Sequence, residues 1–528
     1  MEQTEMKEQN IAPTPNKSNR FLRSLGFDAV AKQTTIRTEL IAGVVTFLAM
    51  AYILTVNPNQ IFGAGSVYWA SAFMATAMAA IVGTLLMAFL AKMPLAQASG
   101  MGLNSMLGGI IGGWGGYGTF TPGQAFMLVL ISGLIFLLLS VIKIKGKTFR
   151  ELIFDGMPVA VRSAISIGIG LFIAYIGFQN AGIIITNNFT QVGLVDFTNW
   201  GEQIINNGTI VDNALIGPLT GVAAKTAVVA LAGVFLIAIL DQLHVKGAII
   251  LGILGATIIG IPLGVTDLSI LAGKGAITWK FWESFGEYFS ANPEVSVFGS
   301  FVSVFKDGLI PQGVSVFTVI MIIITMCMLD MFDTMGTIVG CCSGNRILSD
   351  ENNKPHNYGK IMMSDAIATC TGALLGTSTV TTFVESGAGV SAGGRTGLTA
   401  FTTAALFFLS MFALPLFAAI PSAAAASALI YVGVLMMKAN IKSMDMSGAI
   451  SATTSFLTIV VMLLSYSITK GIGVGMLSFT IMSCLEYVIG LVKYAITKKD
   501  KPEWKISPIT IVVSLLFCVY FFIPATAF

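Results

Sequence analysis

The sequence predicts an all-α polytopic membrane protein with about 14 transmembrane segments in two inverted halves of seven. Three observations carry that reading. Hydrophobic residues make up 55% of the 528 residues and charged ones only 10%, against about 25% charged in a soluble domain. Apolar stretches near the roughly 20 residues that a spanning helix needs recur along the whole chain. Two short Gly-rich stretches interrupt that pattern at matching places, near residues 93–104 and 376–395. The composition, with a mean hydropathy of +0.84, excludes an ordinary soluble enzyme, a disordered chain and a nucleic-acid binder. The net charge of +3 says little about partners, because the placement of charge matters more than its sum.

Residues 1–38 are polar and carry Lys17, Arg20, Arg23, Lys32 and Arg37. No apolar core followed by a small-residue cleavage site precedes the first long apolar stretch, so no cleaved signal peptide is read and the N-terminus is expected in the cytoplasm. The expected spans are 39–57, 69–90, 95–112, 123–142, 159–180, 222–241 and 246–264 in the first half. In the second they are 314–340, 359–375, 378–393, 398–419, 422–440, 447–468 and 473–496. A further apolar stretch, 507–526, is read as a peripheral extra helix.

Loop charge tests the count. The even-numbered loops carry Lys92; Lys143, Lys145, Lys147 and Arg150; His244 and Lys246; Arg346, Lys354 and Lys360; Arg395; Lys438 and Lys442. Lys498, Lys499, Lys501 and Lys505 follow the last span. The short loops 58–68 and 113–122 have no Lys or Arg, and the long ones, 181–221 and 265–313, are mixed or acidic. Basic residues thus alternate in phase with the spans, as they do when basic loops stay in the cytoplasm.

Residues 93–104, MPLAQASGMGLN, and 376–395, GTSTVTTFVESGAGVSAGGR, are too rich in glycine and hydroxyls for plain spanning helices. Exposed backbone at membrane depth survives only where protein or a cavity satisfies it. Residues 98–104 align with 385–391, sharing Ser, Gly and Gly. The two segments sit in span 3 and span 10, and an odd number of spans per repeat inverts the second copy. Interrupted spans at corresponding places in two halves point to a transporter binding site.

Glu385 lies inside the second interruption. A carboxylate at membrane depth costs about 2.5–3.5 kcal/mol or more, which makes it a functional candidate. The alternative is a structural partner for Arg395 or for a helix N-terminus. In span 8, Asp330 and Asp333 are three residues apart, and Asp333 and Thr337 four apart, so each pair lies near one helical face. If spans 8 and 10 are neighbours, Asp333 and Glu385 face one cavity. Two such acids in low dielectric do not both ionise cheaply, so one takes up a proton. That is a chemical basis for coupling a proton to substrate binding. Asp330 stands equally as a proton-coupling residue or a hydrogen-bonded structural acid.

Asn104 offers an amide donor and acceptor to a ligand, or else serves as a cap after the Gly-rich stretch. Ser386, Gly387 and Thr382 flank Glu385 and are candidate substrate contacts. Thr379 and Thr381 more often satisfy unwound backbone. Asp365 reads as a supporting acid, and Arg162 and Arg395 as anchors of span ends. Cys327, Cys341, Cys342, Cys370, Cys484 and Cys518 form no CxxC or Cys/His cluster, so neither a metal site nor a disulfide framework is expected. No GxGD motif of an intramembrane aspartyl protease and no P-loop is present. An ion gradient is therefore the expected energy source, and no cofactor is expected.

Residues 47–58 (FLAMAYILTVNP), 97–104, 330–337 (DMFDTMGT), 376–397, and 156–162 through 179–182 resemble signature stretches of the AzgA-like purine permeases. That subfamily belongs to the nucleobase–cation symporter-2, or nucleobase–ascorbate, superfamily. The resemblance covers about residues 20–495. It implies proton symport of a purine base, typically hypoxanthine and guanine or adenine, across the bacterial plasma membrane. It implies a core domain of 39–142 and 314–419 and a gate domain of 143–264 and 420–496. The segment 265–313 becomes an extracellular connector, and 497–528 a basic linker with the extra helix. It also implies a homodimer through the gate domain. Residue by residue, the glutamate that grips the base corresponds to Glu385, the span-8 acid to Asp333 and the span-3 asparagine to Asn104. Where the uracil and xanthine branches often carry a histidine one turn beyond the span-8 acid, this chain has Thr337. A purine suits the pair of acids, because ring N–H groups donate side by side to a carboxylate. The competing readings are an anion carrier of sulfate type on the same fold, and a nucleobase receptor that does not transport.

Overall fold

The computed structural model describes Phe27 and residues 33–522, except 64, 114–118, 145–146, 149–156, 188–190, 198–222, 246, 273–276, 312, 343–346, 350–354, 466–467, 499–501 and 505. Most of the 1–38 segment and much of the loops 113–122 and 181–221 therefore lie outside the described residues. So do Lys17, Arg20, Arg23, Lys32, Lys145, Arg150, Lys246, Arg346, Lys354, Lys499, Lys501 and Lys505.

The observed helices follow the expected spans closely. Span 1 is two helices, Ile36–Met50 and Ile53–Phe62, joined at Ala51 and Tyr52. Span 2 is Trp69–Leu86 extended by a π turn, Met87–Ala91, and stopped by the left-handed backbone of Lys92. Span 4, Pro122–Val141, starts with a capping box in which Thr121 and Gln124 satisfy each other's backbone N–H. Spans 5–7 are Val159–Asn180, Ala223–Gln242 and Ala248–Gly260. Spans 8 and 9 are Val316–Cys342 and Tyr358–Leu374. Span 11 is Gly397–Ser410 continued by Met411–Ala413 and Leu414–Ala418. Spans 12–14 are Ser422–Asn440, Ala449–Leu464 and Ile468–Thr497. Among the described residues, seven helical runs are long and apolar enough to cross a membrane, and shorter apolar helices accompany them. The stretch after span 14 forms the helix Pro508–Phe522, which packs on span 14 with Phe517 and Phe521 against Gly473.

Spans 3 and 10 are the exceptions, as the glycine content predicts. Each is a three-residue strand followed by a short helix: Gln97–Ser99 with Met101–Gly112, and Val380–Thr382 with Ser386–Ser391. The strands pair antiparallel, with Gln97 opposite Thr382, Ala98 opposite Thr381 and Ser99 opposite Val380. Gly100 N–H donates to Thr379 O at 2.9 Å and Phe383 N–H to Ala96 O at 3.0 Å. The crossing thus satisfies backbone that a helix would otherwise have satisfied, which apolar surroundings demand. Two glycines let neighbours close on it. A Cβ on Gly83 of span 2 would lie 2.8 Å from Val380 Cγ1, and one on Gly372 of span 9 would lie 2.5 Å from Val380 Cγ2.

The packing pattern is itself repeated. Matching span n with span n+7, the contact of span 4 with span 9 recurs as span 11 with span 2. Likewise, span 1 with span 11 recurs as span 8 with span 4, and span 6 with span 7 as span 13 with span 14. Spans 2 and 9, 3 and 10, and 5 and 12 pack on their own counterparts. This is the pairing that a two-fold inverted repeat requires. Loops expected on one side also meet there. Asn357 Nδ2 donates to Ala91 O at 3.2 Å, and Thr34 Oγ1 to Gly393 O at 3.2 Å. At the opposite end Tyr288 Oη donates to Leu375 O at 2.7 Å and Tyr68 Oη to Pro293 O at 2.8 Å.

The segment 265–313 is more structured than a bare connector. It holds the helices Phe281–Tyr288 and Val297–Asp307, which pack on spans 2 and 4. Ser71 Oγ of span 2 accepts the Val297 N–H at 2.9 Å. Helical spacing of Phe281, Phe285 and Phe289, and of Phe298, Phe301 and Phe305, is the sequence signal for these two helices.

Candidate substrate site

The crossing strands place two acids around one cavity. Glu385 follows the span-10 strand at the first turn of the short helix and is only 5% exposed. Asp333 comes from span 8 and is half-buried. Both line a small cavity with Gly100, Met101, Thr337, Thr381, Thr382 and Phe383, closed on its other wall by Ile173, Val432 and Met436. Thr381 Oγ1 lies 3.4 Å from Asp333 Oδ2 and is its donor. The cavity measures about 30 Å³, room for one or two waters. None of its lining residues is basic.

Tyr52 is the residue that sequence reasoning overlooked. It sits at the break in span 1 and is 1% exposed. Its hydroxyl donates to Glu385 Oε1 at 2.6 Å and also lies 3.6 Å from Met101 Sδ. Glu385 Oε2 is buried and has no hydrogen-bond partner among the described residues. One carboxylate oxygen is thus held by the protein and the other is left as a buried acceptor. Leaving such an atom unsatisfied costs about 1–3 kcal/mol or more, so it is poised for a donor. A tyrosine inside an otherwise apolar span, beside a helix break, is the sequence signal that could have found it.

A second, larger space adjoins the first. A vestibule of about 680 Å³ shares Val384 and Glu385 with the small cavity. Val45, Ala49, Ala388, Ser391 and Ala392 form one wall, and Asp241, His244, Ala248, Tyr431, Leu435 and Lys438 the other. It lies on the side of the molecule where the chain enters span 1. Spans 3 and 14, and spans 1 and 7, also meet in close apolar contacts: a Cβ on Gly102 would lie 3.1 Å from Ile468 Cδ1, and one on Gly247 would lie 3.0 Å from Leu48 Cβ.

The other sequence candidates fall elsewhere. Asn104 does not line this cavity. It is fully buried, donates to Gln60 Oε1 at 3.2 Å and accepts from Ser378 Oγ. Both ends of its amide are therefore engaged by other residues, Gln60 and Ser378. Asp330 is also directed away: one helical step from Asp333, it accepts from Thr369 Oγ1 of span 9 at 2.8 Å. Ser386 ties the two interrupted segments together, its Oγ accepting the Ala96 N–H at 3.0 Å. Gly387 lies beside Cys341 and outside the lining. Thr382 lines the cavity and shares the Gln97 amide with Asp365, at 3.4 and 3.0 Å. Thr334 Oγ1 donates to the same Asp365 oxygen at 2.8 Å. Arg395 is not the partner of Glu385: its guanidinium donates to the carbonyls of Val390 and Gly394 at 2.5 and 2.7 Å.

Glu39 is a further acid the sequence reading left unmarked. It is fully buried and accepts from Thr399 Oγ1 at 2.6 Å, Thr396 Oγ1 at 2.8 Å and the Arg395 N–H at 2.8 Å. It caps the entry of span 11 from span 1 and so fixes the turn that follows the Glu385 helix. None of the six cysteines forms a disulfide among the described residues.

An inverted repeat with a crossed-strand pair and an acid-lined cavity is transporter architecture, and the sequence comparisons decide which kind. A family model described as a permease family matches residues 37–474. The chain belongs to that permease family. It is a transporter, not an enzyme, and lies within the expected nucleobase–ascorbate group. Among its relatives is a putative permease of Methanocaldococcus jannaschii, 35% identical, covering 85% of this chain and 89% of the relative. The guanine/hypoxanthine permease PbuO of Bacillus subtilis is 33% identical over 94% of this chain and 100% of its own. The adenine permease AdeP of Escherichia coli is 34% identical over 92% of each. The fold resembles the transmembrane domain of the cyanobacterial bicarbonate transporter BicA, with a TM-score of 0.52. That match covers 83% of this chain and 96% of the other at 17% identity.

Proposed function

We propose that this permease imports purine nucleobases by proton symport. The observation that carries the proposal is the state of Glu385. Its Oε1 is held by Tyr52, its Oε2 is buried and unpartnered, and the residue lines a cavity that Asp333 also lines. A purine offers a ring N–H, and in guanine and adenine an exocyclic amine, to such an acceptor. The Met101 and Phe383 side chains offer apolar walls to a flat ring. Two acids without a basic neighbour in the cavity favour a neutral donor ligand over an anion, which speaks against a sulfate-type carrier. Relatives named for guanine, hypoxanthine and adenine support the same substrate class.

In this proposal Asp333 and Glu385 share the task of holding the coupled proton, and Thr382 borders the base. Spans 1–4 and 8–11 act as the core and spans 5–7 and 12–14 as the gate, with residue boundaries as given above. The vestibule beside Glu385 opens the site to the N-terminal side, taken as the cytoplasm of a bacterial cell. The cavity of about 30 Å³ is too small for a base, so substrate entry requires the two bodies to part. The apolar contacts at Gly102 and Gly247 are surfaces on which they would slide. Assembly is proposed as a homodimer through the gate.

The test is uptake of radiolabelled hypoxanthine into proteoliposomes under an inward proton gradient, with adenine, guanine, xanthine and uracil as competitors. Accumulation above the outside concentration, blocked by purines and not by uracil, is expected. Saturable binding without accumulation in sealed vesicles would make the protein a receptor instead.

A further inference from the structure

We propose that the vestibule extends the Glu385 site into one for a purine nucleoside 5′-monophosphate, which enters from the N-terminal side and blocks transport. The inference rests on the purine reading of Glu385 and deepens it. The vestibule measures about 680 Å³, inside the range of roughly 300–1,000 Å³ typical of pockets for drug-sized ligands. A free base at Glu385 would leave most of it empty.

Its polar residues change character with depth. Glu385 at the floor is 5% exposed. Tyr431 is 8% exposed, and its hydroxyl donates to Asp241 Oδ2 at 2.6 Å; Asp241 is half-buried. Lys438 and His244 are exposed at the mouth. His244 is held there by a left-handed backbone (φ 56°) and by its N–H on Asp241 O at 2.9 Å. An acceptor for base N–H groups therefore lies deepest. A carboxylate, the group that takes ribose hydroxyls in nucleotide sites, lies midway. An ammonium group, a recognised phosphate binder, and an imidazole lie outermost. Base, sugar and phosphate of a purine nucleotide follow the same order. Val384, Ala388, Leu435 and Ala248 supply apolar walls for the ring. A nucleotide seated so would wedge spans 10 and 12 apart and hold the vestibule open. Uptake would then fall as the product of phosphoribosylation accumulates.

The experiment is equilibrium binding to the full-length protein in detergent, where both faces are accessible, using guanine, guanosine, guanosine 5′-monophosphate, ribose 5-phosphate and inorganic phosphate. The monophosphate is expected to bind about tenfold or more tighter than guanosine, the worth of one charge-assisted hydrogen bond. Lys438→Ala should erase that difference and Lys438→Arg should keep it. Guanosine 5′-monophosphate loaded inside proteoliposomes should slow guanine uptake. Equal affinity of guanosine and its monophosphate overturns the inference. So does ribose 5-phosphate or inorganic phosphate binding as tightly as the nucleotide, because the base would then play no part. Failure of guanine itself to bind or accumulate overturns the purine reading instead, so the two failures are distinguishable.

Discussion

Replacing Glu385 by Gln tests the site with the least change of shape. The amide oxygen of Gln still accepts from Tyr52, so the bond of 2.6 Å to Oε1 persists. The group that changes is the buried, unpartnered Oε2, which becomes an NH2 donor. A base N–H that met an acceptor then meets a donor. The loss combines one charge-assisted hydrogen bond, about 1.5–3 kcal/mol, with a buried donor left unsatisfied, about 1–3 kcal/mol. The sum corresponds to a fall in purine affinity of at least about 60-fold. Guanine binding to purified protein and uptake in proteoliposomes read it directly, with thermal unfolding measured alongside to show that the variant is folded. A folded variant whose guanine affinity lies within about threefold of the parent would remove Glu385 from the site.

Other expectations follow from neighbouring geometry. Tyr52→Phe should weaken purine binding by about tenfold or more, since the Glu385 carboxyl group loses the 2.6 Å bond that orients it. The double variant with Glu385→Gln should be no weaker than the sum of the two free-energy losses less their coupling, and strict additivity in a double-mutant cycle would show that the pair does not act together. Asp333→Asn should abolish the dependence of uptake on the proton gradient while leaving the chain folded; an unchanged response to external pH would take Asp333 out of the coupling. Gly372→Ala should lower the unfolding temperature through overpacking of about 1–3 kcal/mol, because its Cβ would sit 2.5 Å from Val380 Cγ2 and 3.0 Å from Ser378 O. An unaltered unfolding midpoint would mean that the crossing yields more easily than its packing implies.

The span boundaries were legible because membrane depth writes itself into composition. Span 12, expected at 422–440, is the helix Ser422–Asn440, and span 5, expected at 159–180, is Val159–Asn180. The interruptions at 93–104 and 376–395 were legible for the opposite reason: their glycines and hydroxyls fit no spanning helix. The two aromatic-striped helices inside 265–313 were missed because charged and polar residues diluted their apolar average. Helical spacing, rather than mean hydropathy, held the signal.

Sequence by itself determined which groups were chemically costly. A carboxylate in a glycine-rich break at membrane depth, Glu385, is expensive wherever it points, so its identity alone marks it. Facing direction is another matter. Asp330 and Asp333 carry the same chemistry three residues apart, yet one is bound to Thr369 of span 9 and the other lines the cavity. Asn104 belongs to the same segment as the strand that borders the site, yet its amide is used up by Gln60 and Ser378. Tyr52 is one aromatic among many until span 10 brings Glu385 to its hydroxyl. Those partners lie on other spans, 39 to 333 residues away along the chain, and a hydrogen bond is short and directional. Composition and spacing along one helix fix depth and face, but only the packing of spans 1, 3, 8, 9 and 10 decides which polar groups meet each other and which are left for a ligand.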